Sequence, residues 1–213
     1  MIYLRNSGIE ICMGETTPDG RVLYFLSAEP VKIEPPLGLC VVMVYPYEWS
    51  SMMTPWKGDC KGMENTGEGD EFSRMFAEHV EQPVERELPF KVTERGIAGY
   101  SLGGLQALYM MEEHDEFSFC GSVSGSLWYP GAVDFFTGKG IPTHIRQMYF
   151  SIGDKEDKTS HPLRSKVRKC TDIIAKHAAA FTSVEYEINP GGHFTCIDKR
   201  ISRCAGIFVE NNI

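Results

Sequence analysis

Arg95-Gly-Ile-Ala-Gly-Tyr-Ser-Leu-Gly-Gly104 is the stretch from which the fold is read. Arg95–Ala98 is a short β-type tract. Leu105, Leu108, Tyr109 and Met111 recur at helical spacing after it. Between them stands Gly99-Tyr-Ser-Leu-Gly103, a G-x-S-x-G sequence in strand–turn–helix context. A serine hydroxyl is a poor nucleophile unless it is exposed, held near a base and set beside donors that stabilise developing negative charge. A sharp turn projects the side chain from the sheet but crowds the backbone, so small residues are needed two positions on either side. The N–H of Leu102 then opens a helix, where it favours an oxyanion. Ser101 is therefore expected to be a nucleophile. The plainer alternative is a tight strand–helix turn in a non-catalytic α/β domain.

Strand-like and helix-like tracts alternate outward from this turn. Arg21–Leu26 follows the turn signal Thr17-Pro-Asp-Gly20. Gly38–Tyr45 is a nearly continuous apolar run, as in a parallel strand covered on both faces. Gln147–Ile152 is a third strand, and Phe117–Val123 and Ser183–Ile188 are further candidates. Helical periodicity runs over Glu71–Leu88, Leu102–Glu113, Pro162–Phe181 and Cys196–Val209. The alternation predicts an α/β protein with a mostly parallel sheet and helices on both faces. Nothing divides residues 1–213, so one domain is expected. Trp56–Asp70, with four glycines and little periodicity, reads as a long surface loop that either covers a site or is a simple excursion.

A nucleophilic serine needs a base, usually histidine. Of six histidines, His193 lies in Asn189-Pro-Gly-Gly-His-Phe194, directly after the last strand pattern. A glycine-rich loop there can carry a side chain across the top of the sheet. His79, His114 and His177 fall in helical patterns and read as surface residues, while His144 and His161 are weak competitors. The imidazole in turn needs a carboxylate, and in this architecture the order is Ser, acid, His. Gly153-Asp-Lys-Glu-Asp-Lys158 lies between Ser101 and His193 and follows a strand. It offers Asp154, Glu156 and Asp157, and the residues alone do not separate them.

Composition narrows the partners. The 213 residues carry 21 Lys+Arg against 29 Asp+Glu, a formal charge of −8 that disfavours nucleic acid and polyanions. No apolar run approaches the ~20 residues needed to span a bilayer, so no membrane role is expected. Met1–Gly8 lacks the basic and apolar regions of a secretory signal. Seven scattered cysteines form no CxxC pair and read as reduced, mostly buried thiols. Together these features point to the cytoplasm.

Three motifs together resemble one family: Gly99-Tyr-Ser-Leu-Gly-Gly104, Ser151-Ile-Gly-Asp-Lys-Glu-Asp-Lys-Thr159 and Asn189-Pro-Gly-Gly-His-Phe194. They are similar to the esterase D-like branch of the α/β-hydrolases, which holds enterochelin esterases, feruloyl esterases, S-formylglutathione hydrolases and related bacterial esterases. The resemblance covers roughly residues 20–210 and is specific for the superfamily, not for a substrate. It implies an α/β-hydrolase fold, here with a sheet shortened at the N-terminus. The family's acid follows its strand as G-x-x-[Asp/Glu], which lands on Glu156, ahead of Asp157 and Asp154. A second oxyanion donor follows an early strand, where Ser27-Ala28-Glu29 stands in place of the usual Asp-Gly, and this points to the N–H of Glu29 beside that of Leu102. Thr54-Pro55-Trp56 resembles a further family element. The arginine often found upstream of it is replaced by Tyr47-Glu-Trp-Ser50, against a strongly anionic substrate. Ser122–Trp128 resembles the segment after the nucleophile helix, with Trp128, Tyr129 and Tyr100 either lining a pocket or packing a core.

The expectation is thus a serine esterase acting on a small-molecule ester through Ser101, His193 and Glu156, by way of an acyl-enzyme. It requires neither metal nor organic cofactor. Acyl transfer or thioester hydrolysis by the same residues is the nearest rival. A catalytically idle binding domain is the rival from another class.

Overall fold

The computed structural model describes residues 2–4, 7–13, 18–60, 62–63 and 66–210. Thr17 of the expected turn, and Lys61, Glu64 and Asn65 of the 56–70 segment, lie outside them. Eight strands form one sheet: β1 (Ile2–Leu4), β2 (Ser7–Met13), β3 (Arg21–Leu26), β4 (Leu39–Pro46), β5 (Glu94–Tyr100), β6 (Phe117–Val123), β7 (Gln147–Gly153) and β8 (Ser183–Asn189). Their order is β1-β2-β4-β3-β5-β6-β7-β8. β1 and β2 pair antiparallel, and β2 pairs antiparallel with β4. The remaining strands are parallel.

The parallel strands are joined by crossovers, and helices cover the sheet on both sides. Along β3, Val22, Tyr24 and Leu26 pack into one core layer, and Leu23 and Phe25 into the other. That is why β3 and β4 read as continuous apolar runs rather than alternating ones. The first layer lies under α2 (Gly69–Phe76), α3 (Gln82–Glu87), α4 (Leu102–Glu113), α5 (Ala132–Thr137) and α6 (Val167–Ala178). The second is closed by α7 (Ile197–Glu210) through Ile201, Cys204, Ala205, Ile207 and Phe208. A one-turn α1 (Trp49–Met52) follows β4.

The structure departs from expectation in three places. The sheet is not shortened at its N-terminal edge by loss of strands, because β1 and β2 form a hairpin there. β1 has three residues, too few for a period-2 pattern to register in the sequence. The helix expected over 71–88 is interrupted by a π turn, Ala77–Glu81. Phe72, Phe76, Val80 and Val84 are all buried at a spacing of four. A regular helix of 3.6 residues per turn would rotate that row off the core, and the wider π turn brings it back. Finally, His114 is not a free surface residue. It sits beyond the end of α4, where its ring nitrogens meet the Ser73 carbonyl at 2.9 Å and Glu116 at 3.0 Å.

Register sets up the site. Leu26 pairs with Gly99, Gly99 with Ser122, Val123 with Ser151 and Gly153 with Asn189. The C-terminal ends of β3, β5, β6, β7 and β8 therefore stand in a row. In open α/β sheets ligands bind beyond such ends.

Candidate active site

Ser101 occupies the turn between β5 and α4 with φ 61° and ψ −120°, a region that non-glycine residues rarely adopt. Neighbouring chain holds it there. Its N–H donates to the Val123 carbonyl at 3.1 Å, and its carbonyl accepts from the Ser126 N–H at 2.9 Å. The flanking glycines are needed for close approach. A Cβ on Gly99 would lie 2.3 Å from the Gly103 carbonyl, and one on Gly103 would lie 2.5 Å from the Leu26 carbonyl oxygen. Both distances are closer than real Cβ atoms come, so strand, turn and helix can meet only with glycine at these two positions.

His193 and Glu156 arrive from the loops after β8 and β7. His193 Nε2 lies 3.0 Å from Ser101 Oγ, and Nδ1 lies 2.7 Å from Glu156 Oε2. An ionised Glu156 can only accept, so Nδ1 carries the shared proton and Nε2 accepts from the serine hydroxyl. Glu156 Oε1 accepts from the Gly153 N–H at 2.7 Å, the Ser124 hydroxyl at 2.8 Å and Arg200 Nη1 at 2.8 Å. Burial alone would push this carboxyl up. The hydrogen bonds and charge of His193, with the Gly153 N–H and Ser124, outweigh it and hold the group below the usual glutamate range. Asp157 instead pairs with Lys158 at 3.3 Å. Asp154 accepts from the Gly191 N–H at 2.7 Å, which ties the acid loop to the histidine loop.

Several residues at this site were not singled out by sequence. Arg200 is buried, with its side chain 2% exposed. Besides Glu156 it reaches Ser124 Oγ at 2.8 Å and the Gly192 carbonyl at 3.1 Å. The available signal was phase: Arg200 falls on the same face of α7 as Ile197, Ile201, Cys204 and Ile207, where only apolar residues were expected. Ser124, with φ 48°, donates to Glu156. Ser126 Oγ lies 3.4 Å from Ser101 Oγ. Tyr100, which the sequence did single out, hydrogen-bonds the His193 carbonyl, and its ring centroid lies 5.1 Å from the imidazole.

A cleft of about 540 Å³ opens over Ser101. Trp49, Met63, Trp128 and Phe194 give it apolar walls. Ala28, rather than Glu29, borders it beside Leu102. The segment after Trp56 takes part in the wall through Gly62 and Met63. It is anchored by Trp56 Nε1 donating to the Pro130 carbonyl at 2.8 Å and Tyr129 donating to the Trp56 carbonyl at 2.7 Å. Tyr129 is thus a core residue, while Trp128 and Tyr100 border the cleft.

An eight-stranded, mostly parallel sheet with a serine turn after β5 and a histidine loop after β8 defines the α/β-hydrolase fold. Residues 35–193 match the family model described as "Putative esterase". The chain belongs to that family. It is similar to the siderophore hydrolase EstA from Aspergillus nidulans, with a TM-score of 0.72 and 15% identity over 96% of this chain and 94% of that one. It is also similar to an IroE-like serine hydrolase from Shewanella oneidensis, with a TM-score of 0.68 and 14% identity over 93% of this chain and 73% of that one. At such identities the likeness speaks to fold alone. An alignment with the uncharacterized protein YbbA of Bacillus subtilis (strain 168) gives 30% identity over 81 residues, 38% of this chain and 32% of that protein. The match therefore spans about a third of that relative's length. Among the described residues no helix is long and apolar enough to cross a membrane.

Proposed function

We propose that the protein hydrolyses its ester through Ser101, His193 and Glu156, by way of an acyl-enzyme. The carrying observation is the unbroken pair of hydrogen bonds from Ser101 Oγ to His193 at 3.0 Å and on to Glu156 at 2.7 Å. Ser101 Oγ attacks the ester carbonyl while His193 Nε2 takes its proton. Glu156 fixes the tautomer and stabilises the imidazolium. The imidazolium then protonates the leaving alcohol, and water repeats the sequence on the acyl-enzyme.

Negative charge on the tetrahedral oxygen falls to the N–H of Leu102 and to a second N–H from the turn after β3. The N–H of Ser27 is already committed to the Val44 carbonyl at 3.0 Å. Ala28 borders the cleft, which favours its N–H over that of Glu29. Each such donor is worth about 10²–10³ in kcat. The seven unpaired thiols support a reducing, cytoplasmic setting. The single sheet shared by both core layers supports one catalytic domain.

The test is labelling with a fluorophosphonate probe, mapped by mass spectrometry. Wild type should be modified at Ser101, and Ser101→Ala should be unlabelled, with turnover of 4-nitrophenyl acetate lowered on the order of 10⁶-fold. A folded wild type that neither labels nor turns over would make the fold an idle binding domain.

A further inference from the structure

Among the described residues, the cleft carries one cation with no carboxylate partner. Arg164, in the short turn Arg164–Lys166 before α6, borders the cleft together with Thr159 and Val167. Its guanidinium lies 5.7 Å from the centre of the Trp128 ring, within the range of a cation–π contact. It forms no ion pair with a carboxylate of any described residue. The other ionised groups that border the cleft are accounted for, since Glu156 faces His193 and Arg200.

The surrounding sequence reinforces this placement. Residues 158–171 hold five Lys or Arg and no Asp or Glu, in a chain whose formal charge is −8. Lys158 and Arg168 are paired, with Asp157 at 3.3 Å and Asp172 at 3.0 Å, so the uncommitted charge at the cleft is that of Arg164. An acidic protein that lines one wall of its active-site cleft with an acid-free basic segment focuses anions there while repelling them elsewhere. Arg presents a planar fork suited to a carboxylate and keeps it while stacked on an aromatic ring.

We propose that Arg164, braced on Trp128, is a specificity determinant, and that the substrate is an ester bearing a carboxylate that this guanidinium receives. The carboxylate belongs to the acyl half or to the alcohol half, and the chemistry at Arg164 is the same. This rests on the ester-hydrolase mechanism above and adds the substrate's charge to it. It runs against the expectation drawn from Tyr47-Glu-Trp-Ser50, since the cation missing there would be supplied from a different loop.

The experiment compares matched esters. Mono-(4-nitrophenyl) glutarate against 4-nitrophenyl valerate tests the acyl half. The butyrate ester of 4-hydroxybenzoate against that of methyl 4-hydroxybenzoate tests the alcohol half. In one arm kcat/KM should favour the anionic ester about tenfold. That ratio should fall about tenfold in Arg164→Gln, reverse in Arg164→Glu, shrink with added NaCl, and stay unchanged in Lys169→Gln. Ratios near one in both arms, or a preference that survives Arg164→Gln, would overturn the assignment while leaving the hydrolytic mechanism intact. Failure of wild type to hydrolyse any of the four esters, with no labelling at Ser101, would overturn both.

Discussion

Arg200 and His193 divide the Glu156 carboxylate between them: the guanidinium lies 2.8 Å from Oε1 and the imidazole 2.7 Å from Oε2. The Arg200 and Glu156 side chains are each 2% exposed, and His193 is 29% exposed. Glu156 is thus held by a permanent buried cation on one oxygen and by a partly exposed imidazole on the other. Arg200 also reaches the Gly192 carbonyl at 3.1 Å, beside His193. It contacts both Glu156 and the loop that carries His193.

Breaking a buried pair by removing one partner costs more than the pair itself contributes, because the remaining charge stays buried. Arg200→Met is therefore expected to lower stability by about 3 kcal/mol and to lower kcat well beyond any change in KM. Arg200→Lys keeps the charge but not the fork, and should recover part of kcat. Thermal unfolding and steady-state kinetics on 4-nitrophenyl acetate read both effects. A kcat unchanged in Arg200→Met would remove the positioning role.

The three carboxylates of the 153–158 loop should separate cleanly. Glu156→Gln leaves the shape but spoils the tautomer, with kcat expected to fall about 10⁴-fold by the behaviour of an analogous acid elsewhere. Asp157→Asn loses only a surface pair with Lys158 and should stay within about twofold, since such pairs contribute little. Asp154→Asn weakens the bond to the Gly191 N–H and should cost about fivefold, the scale of one modest hydrogen bond. Side-by-side rates at neutral pH decide it. A larger loss at Asp157 than at Glu156 would reassign the acid.

Stability should also show an alkaline penalty away from the site. Glu81, in the π turn, has its carboxyl pushed up to about 7, first by burial, then by Glu116 and Glu85 against the opposing Arg95. Unfolded, it titrates near its ordinary value of 4.5. Between those values the native state holds a proton that the unfolded state has released, so stability falls as pH rises, and the loss is complete above about 7. Glu81→Gln should therefore change Tm little at pH 5 and raise it by roughly 5 °C at pH 8. An equal shift at both pH values would mean that ionisation is not the cause.

Much of this was legible in sequence. The boundaries read for β3, α4 and β6 coincide with those observed, because each is a long apolar or strongly periodic tract bounded by turn residues. Ser101 and His193 stood out because glycines mark sharp turns. The choice of Glu156 needed a resemblance, since three acids within four residues share one local chemistry and only the path of the loop separates them. Arg200 was hidden because a charged residue on an amphipathic helix is normally counted to the wet face. The π turn was hidden because a spacing of four satisfies a helix template locally and drifts only over several turns.

Gly99 lies against Gly103, and Gly103 against Leu26, each so closely that neither admits a methyl group. Ser101 between them meets no such barrier, since alanine in its place removes one oxygen and adds nothing. Mutation therefore has two very different doors at this spot. On the proposed mechanism, one step silences the chemistry and leaves the architecture standing, whereas a step at either glycine threatens the architecture first. A lineage released from selection for activity would be expected to lose the serine and keep the glycines. In descendants, the glycine pair would be the mark of the fold and the serine the mark of continued use.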